Sequence, residues 1–338
     1  MAIADRIILC LVADNKTKKV IMCTAIRFGK RYFGRTLDFE RGYGEEIVIV
    51  KRGALRLLDA ENRYAIMGVG VVKSRRPLYF DGVNEWGLCG AALNFPTLAV
   101  YCDKCEVGTA ISSSQLISFA LGFCRSVSEV REMLEKICIS DEGADKNTPP
   151  TPLHWIFADG REAITVESVK EGLRVYDNPI GVLTNAPDFN YHMTRLADFA
   201  ALQAENPDRC FTHSPPYSRG MGAIGLPGDF SSSSRFVRAA FIKENMKVAE
   251  GEEGDVSRIF SAIAPLEVPP GCVLNDEGEA VVTRYTAVID MENPTYYLTT
   301  SACRTIRSIS LSDIDESVGK IYSVPFYCEE KIERILDK

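Results

Sequence analysis

Segments with strand character form three blocks in this chain, and segments with helical character separate the blocks. The strand blocks cover residues 23–93, 154–184 and 283–311. Apolar residues at helical spacing predict helices at 113–124, 126–137, 191–203, 235–248 and 256–264. Strands and helices do not alternate one by one, which argues against a parallel α/β sheet. The pattern predicts one α+β domain, in which antiparallel sheets pack on each other and carry helices on the outside.

Turn signals divide the first strand block. Gly29-Lys30 separates the strand-like run 23–28 from the run 31–36, which predicts a hairpin. Asp81-Gly82-Val83-Asn84-Glu85 is predicted as the turn between two further strands.

The composition indicates a folded protein and argues against two kinds of partner. Hydrophobic residues make up 46% of the 338 residues and charged residues 25%, as in globular chains. The formal net charge of −7 argues against nucleic acid or an anionic membrane surface as the main partner. No run of about eighteen apolar residues occurs, so no membrane-spanning segment is predicted.

The cysteines are eleven, an odd number, and stand singly in apolar surroundings. This usage predicts reduced thiols in a cytoplasmic protein. Cys102 and Cys105 form the one close pair, and no second pair or nearby histidine completes a zinc site. The three histidines show no ligand spacing, and His154 alternates with apolar neighbours as a buried sheet histidine does. No metal and no cofactor are predicted.

The run Met22-Cys23-Thr24-Ala25-Ile26-Arg27-Phe28 places a cysteine directly after an internal methionine. If the mature chain begins at Cys23, that residue carries both a thiol and a free α-amine. A nucleophile and a base in one residue can catalyse acyl transfer without a histidine. An α-amine titrates at about 7.7–8.0 and a thiol at about 8.5, so proton transfer between them is nearly balanced. While residues precede Cys23, its nitrogen is an amide and cannot act as this base.

Residues 1–22 are predicted to be absent from the active protein. The apolar stretch Ile7–Ala13 has some character of a secretory signal, but it is short, Asp5 precedes it, and no small-residue cleavage site lies before Met22. A leader that is removed, or a start upstream of the true one, is the better interpretation. Residues 23–338 then form the single domain.

Five polar residues occur where the local pattern would favour something less polar: Arg35, Asp38, Asn94, Asn185 and Arg235. Each has an ordinary explanation, as a turn asparagine, a residue at a helix start or a member of a surface ion pair. Their significance would lie in surrounding the Cys23 thiol together.

Seven stretches carry a resemblance to a known family. They are Met22-Cys23-Thr24, Phe33-Gly34-Arg35-Thr36-Leu37-Asp38, Asp81-Gly82-Val83-Asn84-Glu85 with Gly87-Leu88, Leu93-Asn94-Phe95-Pro96, Gly181-Val182-Leu183-Thr184-Asn185-Ala186-Pro187, Gly225-Leu226-Pro227-Gly228-Asp229-Phe230 and Ser234-Arg235-Phe236. In this order, from Met22 to about Leu311, the chain resembles the choloylglycine hydrolase family. That family comprises bile salt hydrolases and penicillin V acylases, and it belongs to the N-terminal nucleophile hydrolases.

The resemblance implies a catalytic arrangement at the first hairpin. Cys23 would be the nucleophile and its α-amine the proton shuttle. Asp38 would accept a hydrogen bond from that amine, and Arg35 would lie beside the thiolate.

It also implies roles for residues distant in sequence. Asn185 and the Asn94 region would donate hydrogen bonds to an oxyanion, and Arg235 would complete the charged surround. The fold would be a four-layer α-β-β-α sandwich, commonly assembled as a homotetramer. The hairpin that leads to Arg35 is short, a departure from the family that should alter one rim of the pocket.

The substrate implied by the resemblance is a conjugated bile acid. Leu93-Asn94-Phe95 resembles bile salt hydrolases more than penicillin V acylases, which often carry tyrosine at the middle position. The favoured reaction is hydrolysis of the amide bond to glycine or taurine through an acyl-thioester. A steroid needs an open apolar pocket, which Leu37, Phe39 and loops around residues 80 and 140 could line, although Leu37 and Phe39 could equally be core residues. The alternatives are a penicillin V acylase, an N-acyl homoserine lactone acylase and a binding protein whose Cys23 stays blocked.

Overall fold

The computed structural model describes residues 22–74, 76–106, 108–144, 148–208, 213–247, 252–314 and 320–336. Of the predicted leader, only Met22 lies within these ranges. The strands, in chain order, are β1 (Met22–Phe28), β2 (Tyr32–Phe39), β3 (Glu46–Val50), β4 (Arg56–Leu57), β5 (Ala60–Glu61), β6 (Ile66–Lys73), β7 (Arg76–Asn84), β8 (Cys89–Asn94), β9 (Thr109–Ser112), β10 (Ile137–Ser140), β11 (Leu153–Ala158), β12 (Ala163–Val169), β13 (Gly172–Asp177), β14 (Val182–Leu183), β15 (Val282–Asp290), β16 (Thr295–Thr300), β17 (Cys303–Ser310) and β18 (Ile321–Val324). The α-helices are α1 (Leu116–Phe123), α2 (Val127–Leu134), α3 (Phe189–Arg195), α4 (Ser232–Asn245) and α5 (Glu252–Ile263).

Most strands belong to two antiparallel sheets. The first sheet has the order β14-β1-β2-β15-β16-β17, and the second has the order β13-β12-β11-β8-β7-β6-β3-β18. Strands β9 and β10 form a short parallel pair apart from both sheets. The antiparallel arrangement of the sheets agrees with the sequence prediction.

The two sheets face each other, and helices cover their outer sides. One buried core joins apolar residues of both sheets and continues to α4 and α5, which contact β1, β2, β14 and β15. A second core lies between the second sheet and α1 and α2. The predicted α+β sandwich with layers in the order α-β-β-α is confirmed.

Strand β11 shows how the sequence serves both cores. Successive side chains of a strand point to opposite faces of its sheet. Ile156 and Ala158 therefore enter the core between the sheets, while Trp155 and Phe157 enter the core beneath the helices. Because both faces are buried, the strand reads as a nearly continuous apolar run.

The hairpin of β1 and β2 brings the amino-terminal part of the described chain into the middle of the first sheet. β1 lies between β14 and β2, and its register pairs Met22 with Asp38 and Cys23 with Leu37. The predicted hairpin is confirmed. Its position within the sheet means that Cys23 is surrounded by neighbours from both sides.

The predicted turn at residues 81–85 is wrong, because β7 continues through Asn84. Gly82 lies under α1, where a Cβ atom would come within 2.9 Å of the Leu121 Cδ1 atom, so the glycine serves close packing and not a turn. The chain turns after Asn84, whose Oδ1 atom accepts a hydrogen bond of 3.0 Å from the Trp86 N–H.

Two further expectations differ from the structure. Helix α2 ends at Leu134, and Ile137 begins β10 because that segment pairs with β9. The expectation of reduced cysteines is wrong for Cys105 and Cys138, which form a disulfide with their Cα atoms 5.7 Å apart. The two cysteines are separated by 33 residues, so their proximity depends on the β9–β10 pairing. None of the described helices has the length and apolar character needed to cross a membrane.

Candidate active site

The Cys23 thiol is buried and lies beside a guanidinium group. The residue is 1% exposed, and its Sγ atom is 3.5 Å from Nη2 of Arg35. Burial raises the pKa of the Cys23 thiol, Arg35 opposes this rise, the Asp38 carboxylate adds to it, and Arg235 lowers the pKa again. The two arginines are therefore the charges that favour a thiolate at this position.

Arg35, in β2, is fixed by the second sheet. Its Nη1 atom donates hydrogen bonds to the carbonyl oxygens of Ala92, at 2.8 Å, and Phe80, at 3.2 Å. Its Nε atom lies 3.1 Å from Oδ2 of Asp81 in an ion pair that is not aligned as a hydrogen bond. The guanidinium group thus has a fixed orientation towards Cys23.

Asp81 belongs to this site, although the sequence did not single it out as a site residue. It is fully buried in β7, and its carboxylate accepts hydrogen bonds from the hydroxyl groups of Tyr285 and Tyr296. An aspartate within a buried strand needs a charged or hydrogen-bonding partner. That requirement is the signal that could have identified Asp81 as the counter-ion of Arg35.

Asp38 is the second buried carboxylate near Cys23. Its Oδ1 atom accepts a hydrogen bond of 2.6 Å from the Thr283 hydroxyl, and its Oδ2 atom accepts one of 3.3 Å from the Thr36 hydroxyl. Burial raises the pKa of Asp38 to about 6, although Arg235 and the two hydroxyl groups oppose the rise. Because Met22 precedes Cys23, the Cys23 nitrogen is an amide here and donates to Asn185. The hydrogen bond from a free α-amine to Asp38 stays a prediction.

Asn185 and Arg235 contact the backbone of Cys23. The Cys23 N–H donates to Oδ1 of Asn185 at 2.7 Å, and Nη2 of Arg235 donates to the same oxygen at 2.8 Å. Arg235 Nη1 also donates to the Cys23 carbonyl oxygen at 2.5 Å and to Thr24 Oγ1 at 2.6 Å. These contacts join the end of β14 and the start of α4 to β1.

Asn94 lies at the end of β8 on the other side of Asn185. The Asn185 Nδ2 atom donates a hydrogen bond of 2.9 Å to the Asn94 carbonyl oxygen. A carboxamide nitrogen carries two hydrogens, so one of them can serve a further acceptor. The structure therefore brings the other five predicted catalytic residues together around Cys23. Within the described ranges, no group of three or more His, Cys, Asp or Glu side chains could hold a metal ion.

A mostly apolar pocket opens at Cys23. Its volume, including the mouth, is about 910 Å³. Its wall includes Cys23, Arg35, Leu37, Tyr43, Val71, Lys73, Leu78, Tyr79, Phe80, Ala92, Asn94, Ser114, Thr148, Pro149, Thr151 and Leu153. Leu37 thus lies in the wall of this pocket, as do residues near 80 and 148. Phe39 is not among the wall residues and packs behind Tyr43, with ring centroids 4.5 Å apart.

The comparison with protein families decides the assignment. Residues 23–319 match the model of the linear amide C–N hydrolases, choloylglycine hydrolase family. The chain belongs to this family. It is a hydrolase that acts on linear amide bonds, and the resemblance identified from the seven stretches is confirmed.

Several relatives extend over nearly the whole chain. A protein of Lactiplantibacillus plantarum named bile salt hydrolase/transferase is 38% identical over 317 residues, covering 91% of this chain and 98% of the relative. A protein of Lactobacillus acidophilus named conjugated bile acid hydrolase is 37% identical over 292 residues, covering 82% and 92%.

Solved structures show the same architecture. A mutant of the conjugated bile acid hydrolase from Clostridium perfringens superposes with a TM-score of 0.84 at 29% identity and covers 94% of this chain and 100% of its own. Penicillin V acylase from Agrobacterium tumefaciens gives a TM-score of 0.70 at 20% identity, with coverage of 89% and 90%, and shares the fold.

Proposed function

We propose that this hydrolase, once residues 1–22 are absent, cleaves the amide bond of glycine- or taurine-conjugated bile acids with Cys23 as its nucleophile. The observation that carries the proposal is the Cys23 thiol at the wall of an apolar pocket and beside the buried guanidinium group of Arg35. Two relatives support the substrate class: one named for bile salts aligns with 91% of the chain, and one named for conjugated bile acids aligns with 82%.

Activation of the thiol requires a free α-amine on Cys23. The amine takes the proton of the thiol, and the positive charge of Arg35 favours the resulting thiolate. Asn185 Oδ1, 2.7 Å from the Cys23 nitrogen, remains an acceptor for the amine. Met22 lies opposite Asp38 in the hairpin register, so loss of Met22 leaves the amine near that carboxylate.

Acylation forms a carbon–sulfur bond and breaks the amide bond. The thiolate attacks the carbonyl carbon, and the carbonyl π electrons move to oxygen. The second N–H of the Asn185 carboxamide and the Asn94 region supply hydrogen bonds to this oxyanion, and loss of one such donor costs about 10²–10³ in rate. When the intermediate collapses, the Cys23 ammonium group donates a proton to the departing nitrogen of glycine or taurine.

Deacylation reverses the roles of the two Cys23 groups. The amine now accepts a proton from water, whose oxygen attacks the thioester carbonyl carbon. The carbon–sulfur bond breaks, the free bile acid leaves, and the thiol is restored. The apolar wall formed by Leu37, Val71 and Leu78 suits a steroid ring system, because burying apolar surface favours binding.

The test compares two forms of the protein on four substrates. The chain that begins at Cys23 should hydrolyse glycocholate and taurocholate with a higher kcat/KM than penicillin V or an N-acyl homoserine lactone. The chain that begins at Met1 should be inactive while its amino terminus is intact, as verified by intact mass. Cys23→Ala in the processed form should abolish turnover and leave the far-UV circular dichroism spectrum unchanged.

Each alternative has its own signature in this experiment. If kcat/KM is highest on penicillin V or on the lactone, that compound and not a conjugated bile acid is the preferred substrate. Substantial turnover by Cys23→Ala would remove Cys23 from the mechanism. A protein isolated from its own host that still begins at Met1, binds bile acids and hydrolyses none of the four would be a binding protein with a blocked Cys23.

We also propose a homotetramer, which the family resemblance supports. The chain has a mass of 37.4 kDa, so light scattering on the eluting protein should give about four times the mass of one processed chain. A mass equal to one or two chains would contradict the assembly without affecting the proposed chemistry.

A further inference from the structure

Two buried histidines that take no part in the proposed chemistry contact successive carbonyl groups next to the site. The Nε2 atom of His154 is 2.7 Å from the Thr184 carbonyl oxygen, and the Nε2 atom of His192 is 2.9 Å from the Asn185 carbonyl oxygen. A carbonyl oxygen can only accept a hydrogen bond, so both Nε2 atoms carry a proton. Both histidines are almost completely buried, at 0% and 1% exposure.

The two histidines reach the two peptide groups on either side of the Asn185 Cα atom from different layers. His154 belongs to β11 of the second sheet, and His192 belongs to α3. Thr184 and Asn185 directly follow β14 of the first sheet. The His154 contact therefore connects the two sheets at the position where Asn185 leaves the strand.

Each imidazole ring also stacks on the neighbour of another predicted site residue. His154 stacks on Phe95, which follows Asn94, with centroids 4.3 Å apart and planes inclined by 11°. His192 stacks on Phe236, which follows Arg235, with centroids 4.8 Å apart and planes inclined by 13°. The stacking fixes the plane of each ring and so the direction of its Nε2–H bond.

Glu167 supports the first histidine. Its Oε1 atom lies 3.2 Å from His154 Nδ1 and accepts a hydrogen bond of 3.0 Å from the Phe189 N–H at the start of α3. At this distance the Glu167 carboxylate can accept a hydrogen bond from His154 Nδ1. His154 and Glu167 thus hold both ends of the segment 184–189.

The second histidine is suited to donate from a neutral ring. Its Nδ1 atom has no hydrogen-bond partner among the described residues. Burial lowers the pKa of His192 to about 4, and the nearby His154 and Arg235 lower it as well. The hydrogen bond to Asn185 and the Asp188 carboxylate raise the pKa, but by less. A neutral ring with its proton on Nε2 is the form that donates to Asn185 at neutral pH.

We propose that His154 and His192 are positioning residues whose Nε2–H groups hold the carbonyl groups of Thr184 and Asn185, one on each side of the Asn185 Cα atom, and thereby set where the Asn185 carboxamide meets Cys23. This inference rests on the proposed function. Ser232 assists, since its Oγ atom accepts a hydrogen bond of 2.9 Å from the Asn185 N–H. With its backbone held in this way, the Asn185 side chain is kept against the Cys23 nitrogen, Arg235 and the Asn94 carbonyl group.

The test replaces His192 by three residues that differ in whether they can donate a hydrogen bond to the Asn185 carbonyl oxygen. Gln places an amide N–H near the position of imidazole Nε2, Asn is too short to reach the carbonyl oxygen, and Met fills a similar volume without a donor. We expect His192→Met and His192→Asn to lower kcat on glycocholate by about 10- to 100-fold, because displacement of a catalytic group by about 1 Å costs about 10²-fold. His192→Gln should retain kcat within about threefold of wild type, and KM should change little in all three because His192 is not among the pocket wall residues.

Trp155→Phe is the matched control for buried aromatic packing. Trp155 is fully buried next to His154 in sequence, but its side chain belongs to the core beneath α1 and α2. The Trp155→Phe substitution should lower the melting temperature without lowering kcat. If His192→Met does not fold, the comparison of His192→Gln with His192→Asn still decides between a hydrogen bond and simple packing.

Three results would overturn the inference: wild-type kcat in His192→Asn, equal losses in the Gln and Asn variants, or a loss of kcat in Trp155→Phe at a similar loss of stability. A wild-type processed protein that hydrolyses no amide would instead refute the proposed function. In that case crystal structures of the His192 variants test separately whether His192 positions Asn185. The 2.7 Å contact between Asn185 Oδ1 and the Cys23 nitrogen should persist in His192→Gln and be lost in His192→Asn.

Discussion

Replacing Asp38 by asparagine should stabilise the protein at neutral pH while lowering its activity. Burial raises the pKa of Asp38 from an ordinary 3.8 to about 6. At pH 7 the folded protein therefore holds an ionised carboxylate in an environment that disfavours the charge. At about 1.36 kcal/mol for each pKa unit, this corresponds to about 3 kcal/mol. Asparagine has a similar shape and can keep the hydrogen bonds to Thr36 and Thr283 without the charge.

The pH dependence gives the prediction its sign. The folded-state pKa is the higher one, so the stability gained from protonating Asp38 is complete below 3.8 and is lost as the pH rises through about 6. The wild type should thus become more stable, relative to Asp38→Asn, as the pH falls from 6 to 4. We expect Asp38→Asn to be more stable by about 3 kcal/mol at pH 7 and by less than about 1 kcal/mol at pH 4.

Urea unfolding followed by circular dichroism at pH 7 and pH 4 measures both differences. With an unfolding entropy of about 2.1 cal/mol/K per residue, 338 residues give about 0.7 kcal/mol/K, so the melting temperature at pH 7 should rise by about 4 °C. Asp290→Asn is the control. Asp290 is equally buried but accepts hydrogen bonds from Arg31 and from the N–H groups of Glu292 and Asn293, so its replacement should destabilise. An Asp38→Asn protein that is less stable than wild type at pH 7, or a difference that does not shrink at pH 4, would refute the reasoning.

Two further substitutions test the hydrogen bond that holds Asp81 near the site and the glycine in the turn after β7. Tyr285→Phe removes a hydroxyl donor from the buried Asp81 carboxylate and should lower the free energy of unfolding by about 1.5–3 kcal/mol. The melting temperature should then fall by about 2–4 °C. An unchanged melting temperature would show that this hydrogen bond does not contribute to stability. Gly87→Ala should destabilise by about 2 kcal/mol or more, because Gly87 has φ +78° and a Cβ atom would lie 2.0 Å from the Met291 carbonyl oxygen; wild-type stability in urea would contradict this explanation of the glycine.

Much of the fold was predictable because it depends on local patterns. The hairpin of β1 and β2 follows from two strand-like runs around Gly29-Lys30, and the separation of strand blocks from helices predicts antiparallel sheets with helices outside. The prediction failed where neighbours distant in sequence determine the conformation. Gly82 looked like a turn residue because nothing nearby in sequence shows that α1 packs over it.

The candidate site was predictable in its members but not in its contacts. The six site residues came from the family resemblance, and the structure places them together. Asp81, which is paired with Arg35, was missed as a site residue because its buried partners Tyr285 and Tyr296 lie more than 200 positions away in sequence. Phe39 is expected at the pocket but lies behind Tyr43. The expectation fails because the alternation of side chains along β2 does not indicate which other residues lie between Phe39 and the pocket.

The chemistry available to this protein is already present in the order of its residues. In the proposed function the thiol and the α-amine of Cys23 are the nucleophile and the base, and this pairing depends on covalent structure alone. The surroundings that make the pair useful depend on the folded chain. Asn185 lies 162 positions from Cys23 and Arg235 lies 212 positions away, yet both contact its backbone. Burial raises the pKa values of Cys23 and Asp38 and the charge of the distant Arg235 lowers them, because both effects depend on distances in space and not on separation along the chain.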